Sequence, residues 1–540
     1  MKLNLIAILA SIISFACAPL AWSVAAPPYP IEVRCDDGST MMVNVHGDER
    51  AHFFTDMQGR MLMSTDAGFR LASQAEAQMM LSSMPSAGAP QVEGSTFPTT
   101  GSPRALVILV EFADNAFSID DPYQVYSDML SLPGFSRDGA TGSIADYFRD
   151  SSFGQFTPQF DLYGPVKLSQ PMSYYGTNKS NGDDIRPDEM VTEACELLDD
   201  IIDFHNYDAD GDSVIDNVYV FYAGYGENDS GLRSTIWPHS WDIAVPAPGG
   251  AGRTVYFDGL LINHYACSNE LRGGTTKLSG IGTFVHEFGH VLGLPDLYST
   301  RSSIPFTPGA YSVMDRGSYN NDCHTPPHYS AYERYALGWV EPSQLSDPAD
   351  VELRSIDNGG YADISIITTS NPYEYYLLEN RQQSSWDEYI PGHGMILWHI
   401  DYDPDIWDQN TVNTSANHLR VDLVEADGIA TSATRAGDTF PGTSKVTSFN
   451  DFHPWTGETL DAPITEITET PDSLITFKFR GGASGGIHAI TTDPASTTKP
   501  RLIIYPDIPN PEQTCTQTYY DLQGRIVTNP TLGQLLFLLP

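Results

Sequence analysis

The chain has 540 residues, enough at roughly 150 per domain for about three or four folded units. Its 28 Lys+Arg against 69 Asp+Glu give a formal net charge of −41, which repels nucleic acid and anionic membrane surfaces and suits calcium. With 41% hydrophobic and 11% aromatic residues and no long block of like charge, the composition also excludes a disordered acidic protein.

The start, MKLNLIAILASIISFACAPLAWSVAA, carries Lys2, an apolar run from Leu3 to Phe15, and small residues at Ser23, Ala25 and Ala26. This is the pattern of a secretory leader over 1–26, cleaved near Ala25 or Ala26. The apolar run falls short of the ~20 residues that span a bilayer, so no transmembrane anchor is expected. Cys17 gives an alternative reading as a lipoprotein acceptor, with Ser14 where that pattern has an aliphatic residue.

Residues 27–97 begin with short apolar runs separated by turns, as in STMMVNVHGDERAHFFTDMQGRMLM, which predict β-hairpins. The polar stretch SSMPSAGAPQVEGSTFPTTGSPR reads as a linker. From Arg104, RALVILVEFAD is a continuous apolar run of the kind found inside a sheet covered on both faces. GSIADYFRDSS and PDEMVTEACELLDDII predict helices, the second with Met190, Val191, Ala194, Leu197 and Leu198 at helical spacing. DNVYVFYAGYGE is another buried strand, so residues 98–345 form a mixed α/β (α+β) unit. Short strands and turns then give an all-β region over 346–480, and GGASGG opens a linker and a small β segment over 481–540.

GTFVHEFGHVLGLPDLY, Gly282 to Tyr298, holds the strongest chemical signal. On a helix, residues four apart share a face, so His286 and His290 can present imidazole nitrogens to one ion. Glu287 projects beside that ion, where a carboxylate can take a proton from water that the ion acidifies. Catalytic zinc takes three protein ligands and an open position. Gly293 permits a turn with φ > 0, after which Asp296 swings back as the candidate third ligand. Other divalent ions fit two imidazoles and a carboxylate less selectively.

The chain resembles the immune inhibitor A-type zinc metallopeptidases, relatives of the metzincins, from about Ile31 to Phe479. The resemblance is carried by GDERAHFF, LVILVEFAD, GSIADYF, YDADGDSVIDNVYVFYAGYGE, IWPHSW, HEFGHVLGLPDLY, YSVMDRGSY, PPHYSAYERYALGW and LENRQQSSWD with PGHGMILWHID. It implies a secreted or cell-surface zinc endopeptidase acting on protein or peptide substrates. It further implies an N-terminal pro-segment over 27–97 that inhibits the enzyme, structural calcium and β-rich C-terminal modules. The long metzincin pattern has a third histidine where this chain has Asp296, which leaves Asp315 and Glu333 as fallback carboxylates. Met314 resembles the methionine turn beneath the zinc, and Tyr319 is a core aromatic or an oxyanion donor. The ending TYYDLQGRIVTNPTLGQLLFLLP resembles the start of a type IX secretion sorting tail, with LLFLLP in place of the expected basic end.

DADGDSVID places Asp208, Asp210, Asp212 and Asp216 around Gly211, with the Val214 carbonyl as a further oxygen. Such a loop suits calcium. Ser213 and Tyr219 stand where an EF-hand has its glycine and its final acid, so a full EF-hand is excluded. Asp401, Asp403, Asp405 and Asn413 form a second candidate turn. His239 and His399 lie among apolar neighbours and read as structural. The cysteines imply no disulfide framework, with Cys267 and Cys323 as the partners if one pair forms; Cys35, or an Asp of the same segment, is the candidate latency ligand that would occupy the open zinc position. The rivals to the peptidase reading are a calcium-stabilised surface adhesin without catalysis and a non-proteolytic metal hydrolase.

Overall fold

The strand Arg104–Glu111 is buried along nearly its whole length, as its unbroken apolar sequence requires. In the computed structural model it lies inside a six-stranded sheet. The described residues are 22–23, 26–27, 29–47, 52–65, 68–73, 76, 97–178, 184–243, 253–300, 304, 306–357 and 363–483, with four two-residue strands beyond 500. The sheet runs in the order Trp22–Ser23, His239–Asp242, His264–Leu271, Val218–Tyr225, Arg104–Glu111, Gln159–Lys167. Its last four strands are mutually parallel, and the first two pair antiparallel.

The helices arise where the sequence caps them. Ile144–Ser151 starts at a capping box in which Ser143 and Asp146 satisfy each other's backbone donors. Pro187–Glu196 begins with proline at its first turn and buries Met190, Val191 and Ala194. The metal helix, Ile281–Val291, is buried at all of its residues. Phe284 and Phe288 of that helix stack on each other, and Phe284 lies 4.0 Å from the Tyr219 ring centroid and 5.6 Å from that of Phe221. Burial of such a side chain stabilises the fold by about 1.5–3 kcal/mol, so this pair anchors the helix to the sheet.

The predicted N-terminal hairpins form a five-stranded antiparallel sheet: Ile31–Arg34, Thr40–Gly47, His52–Asp56, Met61–Thr65 and Gly68–Leu71, paired in sequence order. Its inner face, with Val33, Val43, Phe54, Leu62 and Phe69, packs against Trp237, Tyr319 and Cys323. After Pro342 most of the regular elements are strands, in one five-stranded and one three-stranded sheet. It also holds a short helix, Pro404–Asp408, capped by Asp403 and opened by Pro404, where a loose acidic turn was expected. One hydrophobic core spans the expected boundary at 345/346, from Val107, Tyr219 and Phe288 to Leu377, Trp398, Trp407 and Val421.

Residues 1–484 form one compact unit and 485–540 another. In the second, Tyr519–Tyr520 and Ile526–Val527 pair antiparallel, and residues 521–525 of the YDLQGR stretch lie outside the described residues. Among the described residues no helix is long and apolar enough to cross a membrane. Cys17 and Cys515 lie outside the described residues, as does most of the leader.

Candidate metal centre

His286 and His290 lie one turn apart on the helix face opposite the Phe284–Phe288 pair, since two residues advance a helix by about 200°. The Nδ1 of His286 is 2.7 Å from the Val313 carbonyl oxygen, and that of His290 is 2.8 Å from the Leu294 carbonyl oxygen. A carbonyl only accepts, so each Nδ1 carries the proton and each Nε2 presents a lone pair. Those two Nε2 atoms are 3.2 Å apart, and Asp296 Oδ1 lies 3.3 Å from the first and 3.2 Å from the second. Four-coordinate zinc with bonds of ~2.0–2.1 Å has ligand–ligand edges of roughly 3.3 Å. Three acceptor atoms therefore stand at the corners of one face of such a tetrahedron. Asp296 Oδ1 receives no hydrogen bond, which a cation at that point would explain. The residues fit the ion the sequence called for.

Asp296 reaches the histidines because the helix stops where predicted. Gly293 has φ 93°, with its amide donating to the His290 carbonyl, and the Leu294 amide donates to the Gly289 carbonyl. The Leu297 amide then donates to the Met314 carbonyl at 2.8 Å. His286, Glu287, His290 and Asp296 are 0%, 0%, 5% and 1% exposed, so charge here acts in a low dielectric. Burial pushes the Asp296 carboxyl up, but the two imidazoles beside it, His290 foremost, outweigh it and hold the group below the usual carboxylate range. Burial pulls His290 down, against the opposing pull of Asp296. Glu287 is close enough for its charge, after burial, to help raise the Tyr219 phenol.

Met314 takes the position expected for the methionine turn. A Cβ on Gly289, between the two histidines, would lie 2.5 Å from Met314 Sδ, which is why the helix carries glycine there. The fallback ligands are excluded by their own bonds. Asp315 accepts from the Gly309 amide at 2.6 Å and the Arg316 amide at 2.8 Å. Glu333 accepts from Ser312 Oγ at 2.5 Å, from the Ser330 amide and from the Met314 amide at 3.4 Å, and so pins the methionine turn. Tyr319 is a core aromatic: it packs under the N-terminal sheet, edge-on to Tyr29 at 6.1 Å, with the Asn228 amide donating to its hydroxyl.

Sequence reasoning missed Asn410. Its Oδ1 accepts from the Asp296 amide at 2.8 Å, and its Nδ2 donates to Asp296 Oδ2 at 2.5 Å. Asn413, read as a calcium oxygen, instead donates to the Leu297 carbonyl and accepts from the Arg420 and Val421 amides. No spacing rule links these asparagines to the histidine motif; only the fold brings them there.

Three of the four aspartates expected to hold calcium come together. Asp208, Asp210 and Asp216 bring carboxylate oxygens within 4.8 Å of one another. Asp212 lies outside that group and accepts from the Val214 amide at 2.7 Å. Burial pushes the Asp216 carboxyl up to about 7, with Asp210, Asp208 and Asp212 adding to it against the Ala209 amide. Because the folded pKa exceeds the unfolded ~3.9, the folded state holds this proton more tightly. Its stabilising effect is complete below about pH 4 and is lost as pH rises to about 7. In chelator, the melting temperature of the wild type should therefore fall more steeply from pH 4 to 7 than that of Asp216→Asn, and calcium should remove most of the difference. Scanning calorimetry checks this; a calcium response that persists in full in Asp210→Ala/Asp216→Asn would exclude the loop.

The Asp401 turn carries its own cation: Arg420 Nη1 lies 2.8 Å from Asp401 Oδ2, with His418 on the same oxygen at 2.7 Å. A third group, Asp203, His205 and Asp258, is exposed, and Asp203 and Asp258 cap backbone amides. His239 bonds Tyr265 and the Trp237 carbonyl, and burial lowers it to about 4; His399 bonds Glu374. The Cys267–Cys323 disulfide is not formed. Both are free thiols, with Cys267 beside His239 in the sheet and Cys323 under the N-terminal sheet. Cys35 is a free buried thiol at a turn bridged to Phe69, and it belongs to no metal-ligand group among the described residues.

The chain is similar in sequence to known metallopeptidases. Residues 99–339 match the immune inhibitor A peptidase M6 catalytic domain. That M6 match contains His286, Glu287, His290 and Asp296, and it ends before Asn410. Immune inhibitor A of Bacillus thuringiensis subsp. alesti is 24% identical over 315 residues, 50% of this chain and 45% of that relative. Pre-pro-metalloprotease PrtV of Vibrio cholerae serotype O1 is 27% identical over 296 residues, 45% of this chain and 31% of that relative. The chain thus spans less than half the length of these relatives.

Proposed function

We propose that this chain is a secreted zinc-dependent endopeptidase made as a zymogen, in which His286, His290 and Asp296 hold the ion and Glu287 is the general base. The observation that carries the reading is the triangle of acceptor atoms, 3.2 to 3.3 Å on each side, with both imidazole Nδ1 protons committed to carbonyls. When bound, zinc would polarise the scissile carbonyl and bring the pKa of water close to neutral. Glu287 takes the proton from the attacking water and passes it to the leaving amine. The Val313 and Leu294 carbonyls keep both imidazoles in the tautomer that ligation requires.

A peptide substrate is favoured by the sheet edge next to the metal helix. His239–Asp242 is antiparallel to its neighbour, and an extended segment, Trp22–Ser23, pairs with its outer side. An edge that accepts one strand offers main-chain bonds to another. Trp22–Ser23 falls within the segment read as leader, so its removal on export would free this edge. The sheet over Ile31–Leu71 is the pro-segment in this reading, held by its contacts with Trp237 and Tyr319. Calcium at Asp208, Asp210 and Asp216 would stabilise the loop, and the leader and the C-terminal tail that holds YDLQGR would serve export.

Casein digestion tests the function. The secreted chain should cleave it, a chelator should abolish cleavage, and zinc should restore it. An adhesin would cleave nothing, and a non-peptide hydrolase would leave casein intact while turning over small esters or amides.

A further inference from the structure

The β-rich region after Pro342 carries part of the metal centre. We propose that Asn410 is the positioning residue for Asp296, so that zinc affinity is set in part by a side chain outside the M6 match; this rests on the zinc reading above. The contacts form a closed stitch between two segments more than a hundred residues apart. Asn410 Oδ1 accepts from the Asp296 amide and its Nδ2 donates to Asp296 Oδ2, at 2.8 and 2.5 Å. Thr300 Oγ1 donates to the Asn410 carbonyl at 2.9 Å, and Asn413 Nδ2 donates to the Leu297 carbonyl at 2.8 Å.

The chemistry explains why an amide stands there. A carboxylate that ligates through one oxygen needs its other oxygen fixed, or it rotates and trades oxygens at the ion. Asn410 donates to Oδ2 and leaves Oδ1 turned to the histidines, while its own Oδ1 holds the Asp296 backbone amide. Only a side chain with both a donor and an acceptor can make this pair of bonds. Asn410 is 2% exposed with φ 47°, a left-handed conformation that asparagine tolerates better than most residues. It is delivered by the capped helix Pro404–Asp408, whose Trp407 is anchored in the common core and donates to Tyr332 Oη at 2.5 Å. Partners of this kind typically contribute 10–100-fold in metal affinity.

The test uses full-length protein and the zinc dissociation constant, read by competition with a chromophoric chelator at pH 8, with melting temperatures of the metal-free proteins in parallel. Asn410→Gly suits the left-handed backbone and removes the amide. Asn410→Asp keeps size and acceptor but loses the donor. Both should bind zinc about 10–100-fold more weakly, with the metal-free melting temperature of Asn410→Gly close to wild type. Asp405→Ala, exposed on the same short helix, should bind as wild type does. Wild-type affinity in Asn410→Gly and Asn410→Asp would overturn the proposal, as would an equal loss in Asp405→Ala. Asp296→Ala, measured alongside, separates the two claims: wild-type affinity in that variant would mean that the zinc reading itself had failed.

Discussion

Replacing Glu287 with alanine is expected to lower peptide turnover by about 10²–10⁴-fold while zinc stays stoichiometric, because general-base assistance is typically worth that much. Glu287 sits between the two histidines in sequence and is fully buried on the metal helix. It is not one of the three residues whose ligand atoms converge. Removing it should therefore spare the ion and remove only the group that moves the proton. Rates on a fluorogenic peptide, together with metal content by mass spectrometry, read the two effects separately. Normal turnover in Glu287→Ala would end the mechanism, and loss of zinc would make Glu287 a ligand.

The second large effect concerns the aspartate. Asp296→Ala should lose zinc on dialysis and with it all measurable activity, because two imidazoles alone leave the ion short of a ligand and of its only anionic partner. Asp315→Ala, nineteen positions further along, should keep zinc. Its carboxylate accepts from the Gly309 and Arg316 amides, so its loss strands buried donors at a cost of about 1–3 kcal/mol. That variant should melt earlier yet remain active. Retained zinc in Asp296→Ala with loss in Asp315→Ala would transfer the third ligand to the methionine turn.

The helix bearing His286 and His290, its stop at Gly293 and the return of Asp296 were legible because they obey local rules: four-residue spacing and a left-handed residue after a helix end. The buried strand from Arg104 and the N-terminal hairpins were legible for the same reason, since periodicity and turn residues act within a few positions. The Asp401 turn shows where local reading stops. Its acids suggested calcium, but Asp403 is spent on a helix cap and Asp401 on Arg420, a partner nineteen residues away. Asn410 carries no local signal, because its role depends on the fold bringing it to Asp296. The Cys267–Cys323 pairing failed likewise: flanking the motif in sequence did not place the two thiols together.

Zinc-edge X-ray absorption on the zinc-loaded, full-length wild type tests the centre most directly. The account predicts a first shell of nitrogen and oxygen only at ~2.0–2.1 Å, with the multiple-scattering signature of two imidazoles that is lost in His286→Ala/His290→Ala. A sulfur shell at ~2.3 Å, or an unchanged spectrum in the double variant, would contradict it.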